Sequence, residues 1–386
     1  MALYWTHSLV VSLIIFQAVV FLVILSNTWI IHRSRRHPPP PSFPLVSILI
    51  PARNEERAIA GCVRSLLDQD YPAFEVLVLD DDSKDATRAI LMEIAAAQPK
   101  LRVLVGVPPP QATMGKNWAC SQLARQAKGE FLFFTDADTL HQPSALRCMV
   151  TAIIGEHADL LTGFPHQEMH TWGESLLVPF FSWISIAFNP LALAYRLRLP
   201  VFTSAVGQVM MFRREAYWAI GGHEGVSSSI AEDLTLARRI KAAGMRWRLT
   251  HTADLISCRM YHGTRETVNG FAKNLFAAFD FRLLPFLFAF AWLEVMFWDP
   301  ILVLLAMLLG QAPYARAAEL IACIGLSLLV WIIPCADLRL PHGQAFVYPL
   351  TILATGAVAL RSIQQTLSGR LSWKGRPIPR PRWRWL

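Results

Sequence analysis

The stretch VSILIPARNEERAIAGCVRSLLDQDYPAFEVLVLDDD, residues 46–82, decides the fold. It contains two short apolar runs, VSILI at 46–50 and EVLVL at 75–79, with a helical pattern at 55–68 between them. Apolar runs of this length, bounded by turn signals, are typical of strands that are buried on both faces. Strand, helix and strand in succession predict a right-handed crossover between two parallel strands.

The same alternation continues along the chain. Further strands are predicted at 101–105 (LRVLV) and 130–135 (EFLFFT), and helical patterns lie at 84–97 and 117–128. We therefore predict an α/β domain with a mostly parallel, Rossmann-like sheet over residues 45–265. In such a sheet the ligand crevice forms beyond the carboxyl ends of the strands, so the residues that follow each strand are the candidates for chemistry.

Acidic residues follow three of the predicted strands, in PARNEE (51–56), in DDDSKD (80–85) and in TDAD (135–138). Asp136 and Asp138 are two residues apart, so in extended backbone both side chains point the same way and can reach one divalent cation. Mg²⁺ or Mn²⁺ held there would neutralise the charge of a departing diphosphate. Helix caps and solvated turns are the structural alternatives for each group, and the residue pattern leaves them open.

A second acidic group lies further along the chain, where Glu232 and Asp233 open the helical run at 234–244. The preceding stretch, residues 206–225, predicts a strand and a glycine turn against the same crevice. A carboxylate there could take the proton of an attacking hydroxyl as general base, although acids in a first helical turn are also favoured by the helix dipole. Lys116, in GKNWAC, could contact a phosphate or simply be a surface lysine.

The composition places part of the chain in lipid, because 54% of its 386 residues are hydrophobic and only 17% are charged. Residues 8–31 carry no charge over a length that spans a bilayer, which predicts a transmembrane helix. The basic residues follow this run rather than precede it, which argues against a signal peptide and puts the next part of the chain in the cytoplasm. A basic, proline-rich linker at 32–44 is expected to space the domain from the bilayer.

After residue 265 we expect an interfacial helix at 266–282, a transmembrane region at 283–363 with three or four segments, and a basic cytoplasmic tail at 364–386. Three crossings would put this basic tail outside, against the positive-inside rule. The block at 283–310 could instead be a hairpin or a re-entrant element, because two acids and a proline interrupt it (Glu294, Asp299 and Pro300). The number of passes stays open at this point.

Taken together, PARNEE, LDDDSKD, TDAD and AEDLTLARRIK, in this order, resemble the family 2 glycosyltransferases with a GT-A fold. Within that family, GKNWAC, GQVMMFRREAYWAIGGHE, GFAKNLFAAF and GRLSWKGRPI are similar to the membrane-bound enzymes that glycosylate carotenoids, such as chlorobactene, and hopanoids. The resemblance implies an inverting, metal-dependent enzyme of the inner (plasma) membrane. It would move one sugar from a nucleotide sugar, UDP-glucose-like, to a hydroxyl of an isoprenoid lipid.

The resemblance also assigns residues to roles. Either Asp80 or Asp81 would hold the uracil, Asp136 and Asp138 would hold the metal with the ribose and diphosphate, and Asp233 would be the base. The complete set of donor-binding candidates is Pro51, Arg53, Glu55, Asp80, Asp81, Lys116 and Asp136. Residues that would contact the acceptor or the donor sugar are Gly207, Gln208 and Glu232.

One family feature is missing from this chain. The polymer-making members carry a Q-x-x-R-W-type motif after the acid pair, whereas the comparable region here reads GFAKN at 270–274. We therefore expect a single sugar transfer rather than polysaccharide synthesis. Two alternatives stay open, namely transfer to a polyprenyl phosphate and a catalytically inactive membrane scaffold of the same fold. The net charge of +8 fits an anionic membrane surface better than nucleic acid, and the oligomeric state is not predicted.

Overall fold

The computed structural model describes residues 7–311, 316–369, 372–373, 376–377 and 381–386. The strands are β1 (Val46–Ala52), β2 (Phe74–Asp80), β3 (Leu101–Val105), β4 (Phe131–Phe134), β5 (Thr139–His141), β6 (Leu160–Thr162), β7 (His166–Gln167), β8 (Met210–Arg213), β9 (Trp247–Leu249), β10 (Ile256–Cys258), β11 (Ser372–Trp373) and β12 (Arg376–Pro377). The α-helices are α1 (His7–Arg33), α2 (Ile59–Leu67), α3 (Thr87–Ala97), α4 (Gly115–Gln126), α5 (Ala145–Gly155), α6 (Trp172–Phe188), α7 (Leu191–Ala194), α8 (Arg214–Ala219), α9 (Gly222–Gly225), α10 (Glu232–Ala242), α11 (Thr264–Ala278), α12 (Leu283–Leu308), α13 (Ala317–Asp337) and α14 (Tyr348–Ser368). Short 3₁₀-helices span Pro200–Phe202 and His342–Val347.

The central sheet has seven strands in the order β3-β2-β1-β4-β8-β6-β9. Strands β1 to β4 are parallel to one another, and β8 is antiparallel to both of its neighbours. The prediction of an α/β domain with a mostly parallel sheet is therefore confirmed. A smaller sheet, in the order β5-β10-β7, lies beside the carboxyl end of β4.

The apolar runs are continuous because helices cover both faces of the sheet. Successive side chains of a strand point to opposite faces, and Ile48 and Ile50 of β1 belong to a core that also contains residues of α2, α3 and α5. Leu49, between them, belongs to a second core with α4 and the membrane-candidate helices. Burial on both faces removes the need for polar alternation along the strand.

The second core joins the domain to the helix bundle, and polar contacts reinforce this junction. Just beyond α1, Ser34 Oγ donates to Thr250 Oγ1 at 2.7 Å, and Arg35 Nη1 contacts both carboxylate oxygens of Asp254 at 2.6 Å. His251 Nε2 lies 3.0 Å from the carbonyl oxygen of Asp337, at the end of α13. The predicted spacer at 32–44 thus begins with direct contacts between the domain and the bundle, not with a separation.

Four helices within the described residues are long and apolar enough to cross a membrane: Leu9–Arg33, Leu283–Leu308, Ala317–Asp337 and Gly343–Ser368. Residues 283–308 form one continuous helix, α12, which runs through Pro300. The predicted alternative of a hairpin or re-entrant element at 283–310 is therefore wrong. A proline removes the N–H that would bond the carbonyl four residues earlier. Here Gln17 Nε2 of α1 donates to that carbonyl, on Met296, at 3.1 Å, so the interruption is tolerated.

Two other helix prolines are accommodated in the same way. Pro334 in α13 frees the carbonyl of Val330, which accepts a hydrogen bond from Trp183 Nε1 at 3.1 Å. Pro179 in α6 frees the carbonyl of Ser175, which accepts from Gln344 Nε2. Each of the three prolines therefore creates an acceptor for a side chain from another part of the chain, and each such bond ties two elements together.

Helix α14 takes a course that the sequence did not predict. Near its start, the carbonyl of Pro349 accepts a hydrogen bond from Trp298 Nε1, midway along α12, at 2.8 Å. Near its end, Ser362 Oγ accepts from the backbone N–H of Phe276 in α11 at 3.1 Å. Helix α14 therefore begins beside the middle of the bundle and returns to the end that carries the domain.

The chain terminus lies at that same end. The backbone N–H groups of Leu283 and Leu284, in the first turn of α12, donate to the carbonyls of Arg384 and Trp385 at 2.9 and 3.0 Å. The described end of the basic tail therefore lies on the same side of the bundle as the domain, to which α14 returns. Three cations of the predicted tail, Arg370, Lys374 and Arg380, lie outside the described residues.

Candidate functional site

The strands bring the predicted acidic segments to one edge of the sheet. Ala52 at the end of β1 pairs with Asp80 at the end of β2, and Leu49 of β1 pairs with Phe134 at the end of β4. The segments that begin at Pro51, Asp80 and Asp136 therefore follow neighbouring strands, as the parallel arrangement requires.

The loop after β2 buries two of its carboxylates. Asp80 and Asp81 are 2% and 4% exposed, and Asp80 Oδ1 accepts a hydrogen bond from the backbone N–H of Ser83 at 3.2 Å. Arg53 Nη1 donates to the carbonyl oxygen of Asp81 at 2.5 Å. Arg53 thus fixes the backbone of the loop in which both candidate base-binding aspartates lie.

Other acids of these segments have structural roles. Asp85 Oδ1 accepts from the backbone N–H and the hydroxyl of Thr87 at 3.0 and 2.6 Å, in the first residue of α3. Burial alone would raise the pKa of Asp85, but these hydrogen bonds outweigh burial and lower it. Glu56 Oε2 accepts from the N–H of Ala86, and the N–H of Glu55 donates to the Thr87 hydroxyl at 2.7 Å. Asp85 therefore caps the start of α3, whereas Glu56 bonds the residue that precedes α3 and not the helix that follows its own segment, whose start has no side-chain cap.

Lys116 connects the segment after β4 with the start of α10. Its Nζ lies 2.9 Å from Asp136 Oδ1 and 3.0 Å from Glu232 Oε1. Burial alone would lower the pKa of Lys116, but the charges of Asp136 and Glu232 outweigh it and hold the pKa well above its ordinary value. The alternative of a plain surface lysine is thus wrong, because Lys116 is a fixed positive charge between two carboxylates.

Asp233 lies beside this ion pair. Its Oδ2 accepts a hydrogen bond from the backbone N–H of Gly207 at 3.0 Å. Burial, and after it the negative charge of Glu232, raise the pKa of Asp233 to about 7. A Cβ atom on Gly207 would lie 3.0 Å from Lys116 Nζ, so a glycine at this position leaves room for the lysine. A carboxylate that titrates near neutral pH is suited to accept a proton.

Gln208 is buried next to the site and has protein partners for its side chain. The residue is 3% exposed, and its Nε2 donates to Cys258 Sγ at 2.9 Å. Its Oε1 accepts from Gln167 Nε2 at 3.1 Å, and its carbonyl accepts from the Thr135 hydroxyl at 2.8 Å. Gln208 therefore joins the end of β4 to the small sheet, and its contact with a sugar stays a prediction.

Two residues near the acids have roles that sequence reasoning did not assign. His223 lines a cavity of about 10 Å³ together with Lys116 and Asp136. Burial, and after it the charge of Lys116, lower the pKa of His223 to about 3, so this imidazole is neutral. Burial and the negative charge of Asp138 raise the pKa of Tyr261, which places Tyr261 within electrostatic reach of the second acid. His223 belongs to the quoted stretch GQVMMFRREAYWAIGGHE (207–224), but nothing in that pattern shows that its side chain faces Lys116 and Asp136.

The acids have the chemistry that a divalent cation needs. An ammonium group already lies against Asp136, which shows that this carboxylate accepts a positive charge at contact distance. Hard oxygen ligands suit Mg²⁺ and Mn²⁺, and a Mg²⁺ ion is commonly held by one or two protein carboxylates together with substrate phosphates. Asp136 therefore fits the predicted metal site. Asp138 lies in the turn that follows β4 and not in extended backbone, so its place beside Asp136 as a second ligand stays a prediction.

Comparison with known proteins finds a family model that covers three of these motifs. Residues 47–221 match the family model described as Glycosyl transferase family 2. A beta-monoglucosyldiacylglycerol synthase of Trichormus variabilis is 43% identical over 99 residues, which are 25% of this chain and 21% of that protein. A 4,4'-diaponeurosporenoate glycosyltransferase of Staphylococcus haemolyticus is 26% identical over 233 residues, 60% of each chain. This chain thus spans less than two thirds of either relative.

The fold has a counterpart among solved structures. A mannosyltransferase of Pyrobaculum calidifontis, PcManGT, solved in complex with GDP-Man and Mn²⁺, superposes with a TM-score of 0.53 at 21% sequence identity. The superposition covers 93% of this chain and 99% of that chain. At this level of identity the likeness concerns the fold, and it confirms the GT-A prediction.

Proposed function

We propose that this chain transfers one sugar from a nucleotide sugar to a membrane lipid, a proposal supported by the match of residues 47–221 to the family 2 glycosyltransferase model. The observation that carries the proposal is the convergence on Lys116 of Asp136 and Glu232, which lie far apart in the sequence. The names of two relatives refer to lipid-like acceptors, a diacylglycerol and diaponeurosporenoate, which supports a lipid as the acceptor here.

The donor side of the reaction uses the edge formed by the strand ends. Asp80 or Asp81 would contact the base of a UDP-glucose-like donor, in the loop that Arg53 fixes. Asp136 and Asp138 would hold Mg²⁺ or Mn²⁺, which when bound neutralises part of the charge of the leaving diphosphate. The ammonium of Lys116, which lies 2.9 Å from Asp136 Oδ1, would act on the diphosphate as a second positive charge.

Asp233 has the base role. A pKa near 7 leaves a substantial fraction of this carboxylate ionised at neutral pH and ready to accept the proton of a lipid hydroxyl. The oxygen then attacks the anomeric carbon from the side opposite the diphosphate, which inverts the configuration at that carbon. Glu232, the residue before Asp233, contacts Lys116. After burial, its negative charge is the second cause that raises the pKa of Asp233.

The membrane helices determine where the acceptor meets the donor. We assign the chain to the inner membrane with its domain in the cytoplasm, because a cluster of basic residues follows α1 and no such cluster precedes it in the sequence. The domain end of the bundle carries α11, the returning α14 and the last residues of the tail. A lipid hydroxyl at the cytoplasmic surface, as on an isoprenoid such as a carotenoid or hopanoid, would approach the acids there.

The test is sugar transfer by the purified full chain in lipid nanodiscs. Labelled UDP-glucose, Mn²⁺ and an isoprenoid alcohol should give a labelled lipid, and removal of the metal with EDTA should stop its formation. A product that releases its sugar rapidly in mild acid would point to a polyprenyl phosphate acceptor instead. If no label enters lipid with UDP- or GDP-sugars in the presence of either metal, the proposed activity is refuted.

A further inference from the structure

The structure contains an apolar cleft away from the acids. It has a volume of about 730 Å³ and is bounded by α6, α11 and α14. This volume falls within the ~300–1,000 Å³ typical of small-molecule sites. Most of the lining is hydrophobic, and the residues that shape it include Leu176, Leu177, Val268, Ala354, Ala357 and Val358.

The mouth of the cleft is lined by exposed apolar side chains. Trp172 is 71% exposed and Leu360 is 64% exposed, and both line the cleft. Leu360 belongs to α14, a helix apolar enough to lie in a membrane. Exposed apolar surface of this kind is stable against lipid and costly against water, so the opening faces the hydrocarbon of the bilayer.

The polarity of the lining changes along α14. Ala354 and Ala357 precede Arg361 and Gln364 on the side that lines the cleft, and at 1.5 Å per residue this stretch covers about 15 Å. The polar members lie toward the end of α14 that returns to the domain, where Arg361 Nη2 donates to Asn269 Oδ1 at 2.9 Å. This gradient matches an amphiphile whose polar end is directed toward the domain.

The polar part of the cleft is connected to the acid site through the segment that follows β10, whose last residue, Cys258, accepts a hydrogen bond from Gln208, the neighbour of the Gly207 that bonds Asp233. Thr264, the first residue of α11, lines the cleft and lies three residues after Tyr261. The preceding residue, Gly263, donates its N–H to Glu174 Oε1 of α6 at 2.5 Å. Glu174, which is 1% exposed, also accepts from Arg259 Nη2 at 3.2 Å, so the starts of α6 and α11 are fixed to each other and to the segment after β10.

We propose that this cleft binds the hydrocarbon chain of the lipid acceptor, with the polar end of that lipid directed along residues 261–264 toward the acids. The inference rests on the proposed function and names its acceptor site. The occupant is a long single-chain amphiphile that enters sideways from the bilayer. It differs from a bulk phospholipid in that it reaches the site where sugar is transferred.

Photolabelling of the full chain tests the occupant directly. The probe is a C20 isoprenoid alcohol with a diazirine in its chain, in nanodiscs of phosphatidylcholine and phosphatidylglycerol. We expect labelled peptides from α6 and α14, and competition by unlabelled isoprenoid alcohol. A diazirine-bearing phosphatidylcholine that labels the cleft equally well, or isoprenoid label confined to α12 and α13, would overturn the proposal.

A filled cleft tests the consequence for turnover. Ala357→Phe places a ring in the cleft, and we expect the KM for the isoprenoid alcohol to rise about tenfold or more, while binding of the nucleotide sugar changes by less than about twofold. Ala291→Phe, the same change at an exposed position of α12, is the matched control and should leave the KM for the acceptor unchanged. Trp172→Ala, at an exposed rim position, should reduce photolabelling even if the phenylalanine variant folds poorly.

The two proposals fail in different ways. If the native chain transfers sugar and Ala357→Phe has the KM of the native chain, the cleft is not the acceptor site. If the isoprenoid probe labels the cleft and the native chain binds no nucleotide sugar, the cleft assignment is supported as a lipid site and the glycosyltransferase proposal is refuted.

Discussion

The helix bundle and the acid site treat polar groups differently. In the bundle, Pro300 frees the carbonyl of Met296, which accepts a hydrogen bond from Gln17. At the edge of the sheet, Lys116 is shared between the carboxylates of Asp136 and Glu232. The bundle pairs a freed acceptor with a donor from another helix, and it does so again at Pro334. The acid site instead gathers like charges. Buried polar groups are normally paired, so a region that concentrates unbalanced charge indicates a place for a ligand of opposite charge.

Burial, and after it the negative charge of Glu232, raise the pKa of Asp233, which agrees with a site that holds an excess of acids. Its neighbour Glu232 already shares Lys116 with Asp136, so a further negative charge is unfavourable in this buried place. A divalent cation bound to Asp136 and Asp138 would relieve the excess. The excess of negative charge is thus a property of the ligand-free site. Substitutions at the acid site should therefore have larger effects than substitutions in the bundle.

The largest effect is expected from removal of the base. Asp233→Asn keeps the shape of the side chain but cannot accept the proton, so kcat should fall by about 10²- to 10⁴-fold. Binding of the nucleotide sugar, measured by calorimetry in the presence of Mn²⁺, should persist. Asp70→Asn, which changes an exposed carboxylate paired with Arg147, is the control and should leave kcat unchanged. Full turnover by Asp233→Asn would remove Asp233 from the base role.

The next effect concerns the shared cation. Lys116→Gln removes the positive charge beside the diphosphate, and the loss of one charged hydrogen bond should raise the KM for the donor about 10- to 100-fold. Lys100→Gln, at an exposed lysine on the ring of Phe74, is the matched control. A donor KM unchanged by Lys116→Gln would mean that the lysine only neutralises acids and does not contact the donor.

The pH profile should reflect Asp233. The base must be ionised to act, and a bound cation should bring its pKa down from the value of about 7 in the metal-free site, so kcat/KM should be low in acid and reach its plateau below pH 7. Below the pKa the rate should fall about tenfold per pH unit. Rates measured between pH 5.5 and 8.5 with constant Mn²⁺ would show this. A flat profile would indicate that an acceptor proton is not removed in the limiting step.

The sequence predicted the parts of this molecule that depend on local pattern. The parallel strands and the acids that follow them come from apolar runs and chain direction, and both could be read without a structure. The fixed position of Lys116 could not, because it depends on Asp136 and on Glu232, which lies more than a hundred residues away. The cleft likewise depends on α6, whose sequence shows neither a span of full length nor a motif.

The interruption predicted at 283–310 does not form, again because the residues involved lie far apart in the sequence. Pro300 suggested an interruption at 283–310, because a proline in isolation breaks a helix. The donor that replaces its missing hydrogen bond, Gln17, lies in α1, at the other end of the chain. No local rule connects these two residues, and the block that does turn back is α14.

The smallest predicted effect tests that explanation in the bundle. Gln17→Leu removes the donor to the Met296 carbonyl and should lower the free energy of unfolding by about 1 kcal/mol, the size usual for one hydrogen bond in a membrane protein. Reversible unfolding of the full chain in mixed micelles, followed by tryptophan fluorescence, would measure it. Activity of the folded fraction should be unaffected, in contrast to the substitutions at the acid site.

A double-mutant cycle identifies the cause. Pro300→Ala restores a backbone N–H that can bond the Met296 carbonyl within α12, so Gln17→Leu should cost less in that background than alone. Part of the cost should remain, because Gln17 Nε2 also donates to Ser327 Oγ at 3.0 Å. If Gln17→Leu cost the same with and without Pro300, the freed carbonyl would not be the reason for the glutamine, and the pairing of proline-freed carbonyls with side chains of other helices would lose its best-defined example.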